Sequence, residues 1–100
     1  MAVLVRYTPQ GMTAEQYDAV GRQLQEAGHW PPDGMLAHVG FRSDGGLHVS
    51  EVWESREQQE RFAESLMPIV RDHGIIFDSE PQYLDVQGYL FREASSDAGD

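Results

Sequence analysis

The stretch HVSEVWESREQ, residues 48–58, contains the features that decide the fold. Its first half carries valine and tryptophan, residue types that favour β-strands, with polar residues between them. Ser55 follows, and Gln58 stands three positions later, which is the spacing of a capping box at the start of a helix. The stretch therefore predicts a strand that passes directly into a helix, and the polar residues on that strand need an explanation.

Capping and glycine signals mark the ends of two predicted helices. Thr13 and Gln16 form a second capping-box pattern, and Gly28 is expected to end the helix that follows them. The helix that begins after Ser55 is expected to end at Gly74. Both helices show apolar residues at helical spacing, so each should present one apolar face to a sheet.

Four apolar stretches are predicted strands, and Asp44-Gly45 between the second and the third predicts a tight hairpin turn. The resulting order, βαββαβ, is that of a ferredoxin-like α+β fold, a four-stranded antiparallel sheet with two helices on one face. The other face is left bare, and a bare apolar face needs a partner or a ligand. The predicted strands cover residues 2–7, 35–42, 47–54 and 82–92.

Length and composition indicate one globular domain. The chain has 100 residues, of which 40% are hydrophobic and 24% charged, as is ordinary for a soluble globular protein. We expect the domain to cover residues 1–92 and the acidic end, residues 93–100, to be disordered. Apolar runs stay well below the ~20 residues that span a bilayer, and the N-terminus lacks the layout of a signal peptide. A cytoplasmic location is therefore expected.

Charge and missing residue types exclude several classes of function. The net charge of -10 at pH 7 argues against nucleic acid and anionic membranes as partners, because both bind cationic patches. Cysteine and lysine are absent, which excludes disulfides, thiolate metal sites and Schiff-base chemistry at lysine. Neither a nucleic-acid partner nor a membrane partner is expected.

Several motifs together resemble the dimeric α+β barrel superfamily, and within it small proteins of the antibiotic-biosynthesis-monooxygenase type. These motifs are GMLAHVGF at 34–41, EVWES at 51–55, Phe62 and the Leu-Met-Pro step at 66–68. The resemblance covers residues 1 to about 92. It implies a homodimer whose two sheets pack face to face, with a cavity for a small organic ligand in each half. Family members include cofactor-free oxygenases, haem-degrading oxygenases, polyketide cyclases and isomerases, so the fold does not fix the reaction.

The resemblance can be followed residue by residue in two branches of the family. Haem-degrading members use an asparagine, a helix tryptophan and a histidine; here asparagine is absent, Phe62 replaces the tryptophan, and His73 alone is close to its expected position. Cofactor-free oxygenases use a strand tryptophan, which Trp53 matches, and an asparagine, where Val49 stands instead. The sequence shows no flavin or nucleotide motif, so no resident cofactor is expected, with haem binding as an alternative.

The register of the predicted hairpin brings an imidazole and a carboxylate onto one face of the sheet. A two-residue turn at Asp44-Gly45 places His38 opposite Glu51. We expect this face to line the cavity of the dimer and the opposite face to pack against the helices. A carboxylate beside an imidazole orients it, as in a general base with its partner. The same face is predicted to carry Leu36, Gly40, Val49 and Trp53.

Three more residues complete the candidate site. Arg6 on the first strand is expected to reach Glu51 or to bind a substrate anion, and Phe62 is expected to form a wall with Trp53. His73 is expected either to contact the ligand or only to favour the helix dipole at the C-terminus of its helix. The predicted reaction is proton abstraction by His38 from an aromatic or polyketide-like molecule, followed by oxidation, cyclisation or isomerisation.

Other interpretations stay open at this stage. His38 and Glu51 can be a buried pair that only fixes the strand register, and the dimer can bind a metabolite or a protein partner without catalysis. His48 and His73 could join them as metal ligands, but their separation along the chain does not favour a metal site, and none is predicted.

Overall fold

Within residues 1–92, the part of the chain that the computed structural model describes, four strands form one antiparallel sheet and two helices cover one of its faces. The elements are β1 (Val3–Tyr7), α1 (Ala14–Glu26), β2 (Met35–Ser43), β3 (Gly46–Trp53), α2 (Arg56–Asp72) and β4 (Gln82–Asp85). The strand order β2-β3-β1-β4 confirms the predicted ferredoxin-like α+β fold. The predicted disordered tail, residues 93–100, lies outside the described residues. Neither α1 nor α2 is long and apolar enough to cross a membrane.

Helix α1 begins and ends as its sequence predicts. The Thr13 hydroxyl accepts the backbone N–H of Gln16 at 3.1 Å, and the Gln16 side chain accepts the backbone N–H of Thr13 at 3.0 Å, which completes the capping box. At the other end Gly28 has a φ of 78°, and the N–H of His29 donates to the carbonyl of Leu24 at 2.8 Å. This is the Schellman arrangement that glycine permits.

Helix α2 is capped by half of its predicted capping box. The Ser55 hydroxyl accepts the backbone N–H of Gln58 at 3.2 Å, but it also donates to the Gln58 side chain at 2.9 Å. The Gln58 oxygen therefore bonds the hydroxyl instead of the backbone of Ser55. The helix ends at Gly74, where the N–H of Ile75 donates to the carbonyl of Val70 at 3.1 Å.

Strand β4 is shorter than the predicted segment 82–92. It pairs with β1 from Gln82 to Asp85, and one further bond joins the N–H of Val86 to the carbonyl of Ala2 at 3.1 Å. Gly88 follows soon after, and a glycine weakens a strand because it has no side chain to pack.

Alternate residues of β1 and β3 build the face of the sheet that the helices cover. Val5 pairs with Glu51, and Val3 pairs with Trp53, so these four side chains share one face. Val5 and Trp53 are fully buried there, and Glu51 is only 3% exposed. The helix residues buried against this face are Val20, Leu24, Phe62, Ile69 and Val70.

The predicted assignment of the two faces is therefore wrong. His38 and Glu51 lie on the helix-covered face, whereas Val39 and Phe41 lie on the open face and are 53% and 37% exposed. The prediction relied on β2, which is an edge strand whose apolar side chains lie where no helix covers them. The central strand β1 decides the core face, and exposed Arg6 marks its open side.

The hairpin turn generates a prediction about stability. Gly46 has a φ of 128°, and a Cβ there would lie 2.9 Å from the backbone nitrogen of Met12. We expect Gly46→Ala to lower the free energy of unfolding by about 2 kcal/mol or more. Gly45→Asn is the matched control, because a Cβ at Gly45 meets nothing within 4 Å and asparagine tolerates its positive φ. Urea unfolding measures both, and equal losses would contradict the prediction.

Candidate functional site

A cavity of about 430 Å³ lies between the helix-covered face of the sheet and α1. Most of its wall is apolar, with Met12, Leu24, Val49, Leu66, Val70 and Ile75 among the lining side chains. Its size falls within the range of sites that hold small organic molecules. The cavity is therefore inside the protomer, beneath its own helix.

A chain of hydrogen bonds forms the polar part of the cavity wall. The Trp53 indole N–H donates to Glu51 Oε1 at 3.0 Å, and His38 Nδ1 lies 2.8 Å from Glu51 Oε2. The other ring nitrogen of His38, Nε2, lies 2.6 Å from the hydroxyl oxygen of Tyr17. We call these four residues, Trp53, Glu51, His38 and Tyr17, the polar chain.

The hairpin and the first turn of α1 position the polar chain. Pairing of Ser43 with Gly46 at the turn sets the register that places His38 opposite Glu51, as predicted. Trp53 shares their face because it stands two residues after Glu51 on the same strand. Tyr17 comes from the first turn of α1, whose start is held by the capping box described above.

The charge state of Glu51 sets the direction of these hydrogen bonds. An ionised carboxylate only accepts hydrogen bonds, so with Glu51 ionised His38 Nδ1 carries the proton and donates to it. In the neutral imidazole Nε2 is then an acceptor, and the Tyr17 hydroxyl donates to it. Two donors on a carboxylate that is 3% exposed offset the cost of removing it from water.

Burial and the charge of Glu51 act on two tyrosines that line the cavity. Burial raises the pKa of Tyr17 above its ordinary value, and the negative charge of Glu51 adds to the rise. The same two causes raise the pKa of Tyr7, whose hydroxyl accepts a hydrogen bond from the buried Gln59 side chain. Both phenols therefore stay protonated in the folded protein at neutral pH.

Aromatic rings surround His38 and narrow the space around it. The Trp30 ring meets His38 edge-on, with centroids 5.0 Å apart, and the Tyr17 ring lies nearly parallel to it at 5.8 Å. Trp30 also packs against Phe62, which in turn contacts Trp53. The imidazole is thus held in one orientation by packing as well as by hydrogen bonds.

Sequence reasoning did not include Tyr17 in the site. At the level of sequence, Tyr17 is one of the apolar-face residues of α1, and no local pattern shows that its hydroxyl meets His38. Gly40 is the indirect signal, because a Cβ there would lie 2.7 Å from Cζ of Tyr17. The missing side chain at Gly40 makes room for the tyrosine ring.

The structure brings most of the other predicted site residues to the cavity or next to it. His38, Glu51, Val49 and Phe62 line the cavity. Trp53 lies behind Glu51 as its hydrogen-bond donor.

Three predicted residues lie elsewhere. Arg6 pairs with Ser50 and is exposed on the open face, so the expectation that it reaches Glu51 is wrong. Leu36 does not face Trp53, because the register shifts between Met35 and Ala37 and Met35 takes that position. His73 does not line the cavity; its Nε2 is bonded to the Gln23 side chain at 3.0 Å, at the C-terminus of α2.

Within residues 1–92 there is no cluster of three or more acidic or histidine side chains that could bind a metal ion. Both ring nitrogens of His38 are already engaged by protein groups. The polar chain as folded is therefore held together by hydrogen bonds between protein side chains.

Several solved structures of the antibiotic-biosynthesis-monooxygenase type share this fold. A mutant of SnoaB from Streptomyces nogalater, a cofactor-independent oxygenase, has a TM-score of 0.58 at 19% identity and covers 89% of this chain and 94% of that chain. A candidate antibiotic biosynthesis monooxygenase from Chloroflexus aurantiacus has a TM-score of 0.54 at 20% identity, with 89% and 95% covered. Another, from Caulobacter crescentus, has a TM-score of 0.55 at 20% identity, with 85% and 87% covered.

These TM-scores show a shared fold, and they confirm the predicted resemblance at that level. No protein-family model and no curated protein matches the sequence. The function is therefore argued from the residues of this chain.

The raised pKa of Tyr7 predicts a loss of stability at alkaline pH. Because burial holds its proton in the folded state, the unfolded chain releases that proton first, and stability is lost as the pH rises through about 10. We expect Tyr7→Phe to reduce this fall by up to about 1.4 kcal/mol per pH unit. Urea unfolding at a series of pH values measures the slope. Tyr89→Phe, at an exposed phenol, is the control, and equal slopes in the two variants would contradict the prediction.

Proposed function

We propose that this protein binds a small aromatic or polyketide-like molecule in the cavity beneath α1 and removes a proton from it. In this proposal His38 is the general base and Glu51 orients it. The observation that carries the proposal is a hydrogen-bonded imidazole and carboxylate at the wall of an otherwise apolar cavity.

The aromatic lining of the cavity favours a flat apolar ligand. Aromatic side chains line it from several elements, among them Trp30, Phe62 and Phe77. On the side of α1, Gly21 lines the cavity, and a Cβ added there would meet nothing within 4 Å. A glycine inside a helix costs about 1 kcal/mol relative to alanine, and free space beside it lets a ligand approach the helix backbone closely.

The polar chain supports proton transfer without a bound cofactor. When the imidazole takes a proton, the substrate keeps the electron pair as an anion, and the Glu51 carboxylate stabilises the imidazolium. Oxygenation, cyclisation and isomerisation can all begin from such an anion. The description of SnoaB as a cofactor-independent oxygenase supports the first of these for a protein of this fold.

A non-catalytic binding protein is the second candidate function. The observation that favours it is that both nitrogens of His38 and both oxygens of Glu51 are hydrogen-bonded within the protein. A fully satisfied buried pair is what a structural role requires. Haem binding gains no comparable support, because His73 is bonded to Gln23 and does not line the cavity.

A second copy of the chain is proposed to cover the open face of the sheet. Val39, Phe41 and Leu84 are exposed there, at 53%, 37% and 46%, and half-buried Leu4 and Val52 lie among them. Apolar side chains exposed together on one sheet face favour burial against a partner. Packing of two such faces would complete a barrel of the kind that the resemblance implies.

The base is tested by substitution at His38. In an assay of a panel of polycyclic phenols, we expect His38→Gln to slow turnover about 10²- to 10⁴-fold, and Glu51→Gln to slow it less, because the imidazole remains. His48→Gln is the matched control, since His48 lies on the open face beside Phe41. Unchanged turnover in His38→Gln would remove this residue as the base. Binding of the phenols without turnover by the parent protein would favour the second candidate.

Self-association is tested at Phe41. We expect the parent protein to sediment as a dimer at micromolar concentration and Phe41→Glu to sediment as a monomer, because a buried charge without a partner disfavours the interface. Ala14→Glu adds the same charge at the exposed start of α1, away from the open face, and should leave the dimer intact. A monomeric parent protein would contradict the proposal.

A further inference from the structure

The proposed base does not present a free nitrogen to the cavity. His38 Nδ1 is engaged by Glu51, and Nε2 is engaged by the Tyr17 hydroxyl at 2.6 Å. A general base must lie within hydrogen-bond reach of the proton that it removes. A ligand in the cavity therefore meets the Tyr17 hydroxyl in the place where a free His38 Nε2 would be expected.

We propose that Tyr17 is the catalytic residue that contacts the substrate, and that His38 and Glu51 act through it. This inference rests on the proposed function, because it names the group through which the same base works. It also narrows the substrate class to molecules with an acidic hydroxyl, such as phenols, that can hydrogen-bond to the Tyr17 oxygen.

Packing holds the tyrosine hydroxyl in place. The ring lies over Gly40, where a Cβ would come within 2.7 Å of Cζ, and it stacks on His38 with an interplanar angle of 24°. The residue belongs to the first turn of α1, next to the capping box. These contacts fix the hydroxyl beside Nε2 at the wall of the cavity, which is the position that a proton relay requires.

The proton transfer balances without a further reactant. The substrate hydroxyl gives its proton to the Tyr17 oxygen while the Tyr17 proton passes to His38 Nε2. The products are a substrate anion, a neutral tyrosine and an imidazolium bonded to the Glu51 carboxylate. Burial and the charge of Glu51 raise the pKa of Tyr17, so a free phenolate is disfavoured and the two transfers are coupled.

The polarity of the cavity supports a substrate with one acidic group on an apolar body. Tyr17, His38 and Glu51 lie together at one part of the wall, while Met12, Leu66 and other apolar side chains form much of the remainder. Among residues 1–92, Arg22 is the one arginine that lines the cavity, and it is exposed on α1. The acidic hydroxyl of the substrate is thus expected at Tyr17, and its ring system along the apolar wall.

The experiment uses 4-nitrophenol as the probe, because its absorbance distinguishes the phenol from the phenolate. At a pH about one unit below the probe's own pKa, roughly one tenth is ionised in water. We expect the parent protein to bind it mainly as the phenolate. Tyr17→Phe should bind it with affinity within about threefold, but with the ionised fraction reduced to roughly the value in water, because the phenyl ring keeps its place over Gly40 and carries no hydroxyl that could pass the proton to His38.

A second variant and a control separate the relay from a structural effect. Gly40→Ala keeps the phenol but displaces its ring from His38, and it should also lose ionisation of the bound probe. Tyr89→Phe removes an exposed phenol and should behave as the parent protein. Circular dichroism melting checks that each variant is folded.

The outcomes distinguish this inference from the proposal on which it rests. If the probe bound to Tyr17→Phe is ionised as fully as in the parent protein, Tyr17 only covers His38 and the relay is wrong, while the base proposal stands provided that His38→Gln abolishes ionisation. If His38→Gln still ionises the bound probe, the base proposal itself fails.

Discussion

The structure depends on how the buried carboxylate of Glu51 is hydrogen-bonded. A carboxylate that is 3% exposed is costly unless donors satisfy both oxygens, and here the donors are the Trp53 indole and the His38 imidazole. Each donor has its place because of sheet geometry, one through the pleat of β3 and the other through the hairpin register. A slip of one residue would move His38 to the opposite face and leave Glu51 without this donor. The register of the hairpin therefore determines which polar groups meet at the wall of the cavity.

Local sequence signals predict a large part of this arrangement. Thr13, Gly28 and Gly74 mark helix ends through short-range hydrogen bonds, and Asp44-Gly45 sets a register that places His38 opposite Glu51. The sequence of the edge strand β2 does not indicate which face of the sheet packs against the helices. That face could have been read from β1, where Val5 pairs with Glu51 and exposed Arg6 points the other way. The bulge at Leu36 and the contact of Tyr17 with His38 depend on packing between distant segments, which leaves no periodic signal in the sequence.

This small protein combines a cavity in its core with buried hydrogen bonds. A chain of 100 residues has little core to spare, yet it contains a cavity of about 430 Å³ that is partly open to solvent. A second buried hydrogen-bond network joins α2 to the sheet. The Gln59 side chain donates to the Tyr7 hydroxyl and accepts a hydrogen bond from the Tyr83 hydroxyl at 2.8 Å. Hydrogen bonds from β1 and β4 to α2 thus hold these elements together where apolar contact is reduced by the cavity. Within residues 1–92 no buried side-chain nitrogen or oxygen lacks a hydrogen-bond partner.

The fold is shared with other proteins, whereas the polar contacts of His38 are a property of the residues of this chain. Proteins at 19% and 20% identity show that this sheet and these helices can be built from very different sequences. What this chain adds is a histidine whose two nitrogens are engaged, on one side by a buried acid and on the other by a phenol at the cavity wall. The Glu51 carboxylate is satisfied by Trp53 and His38 alone, so the contact between His38 and Tyr17 is not needed to satisfy the carboxylate. This second contact joins the imidazole and the carboxylate, through the Tyr17 hydroxyl, to the wall of the cavity.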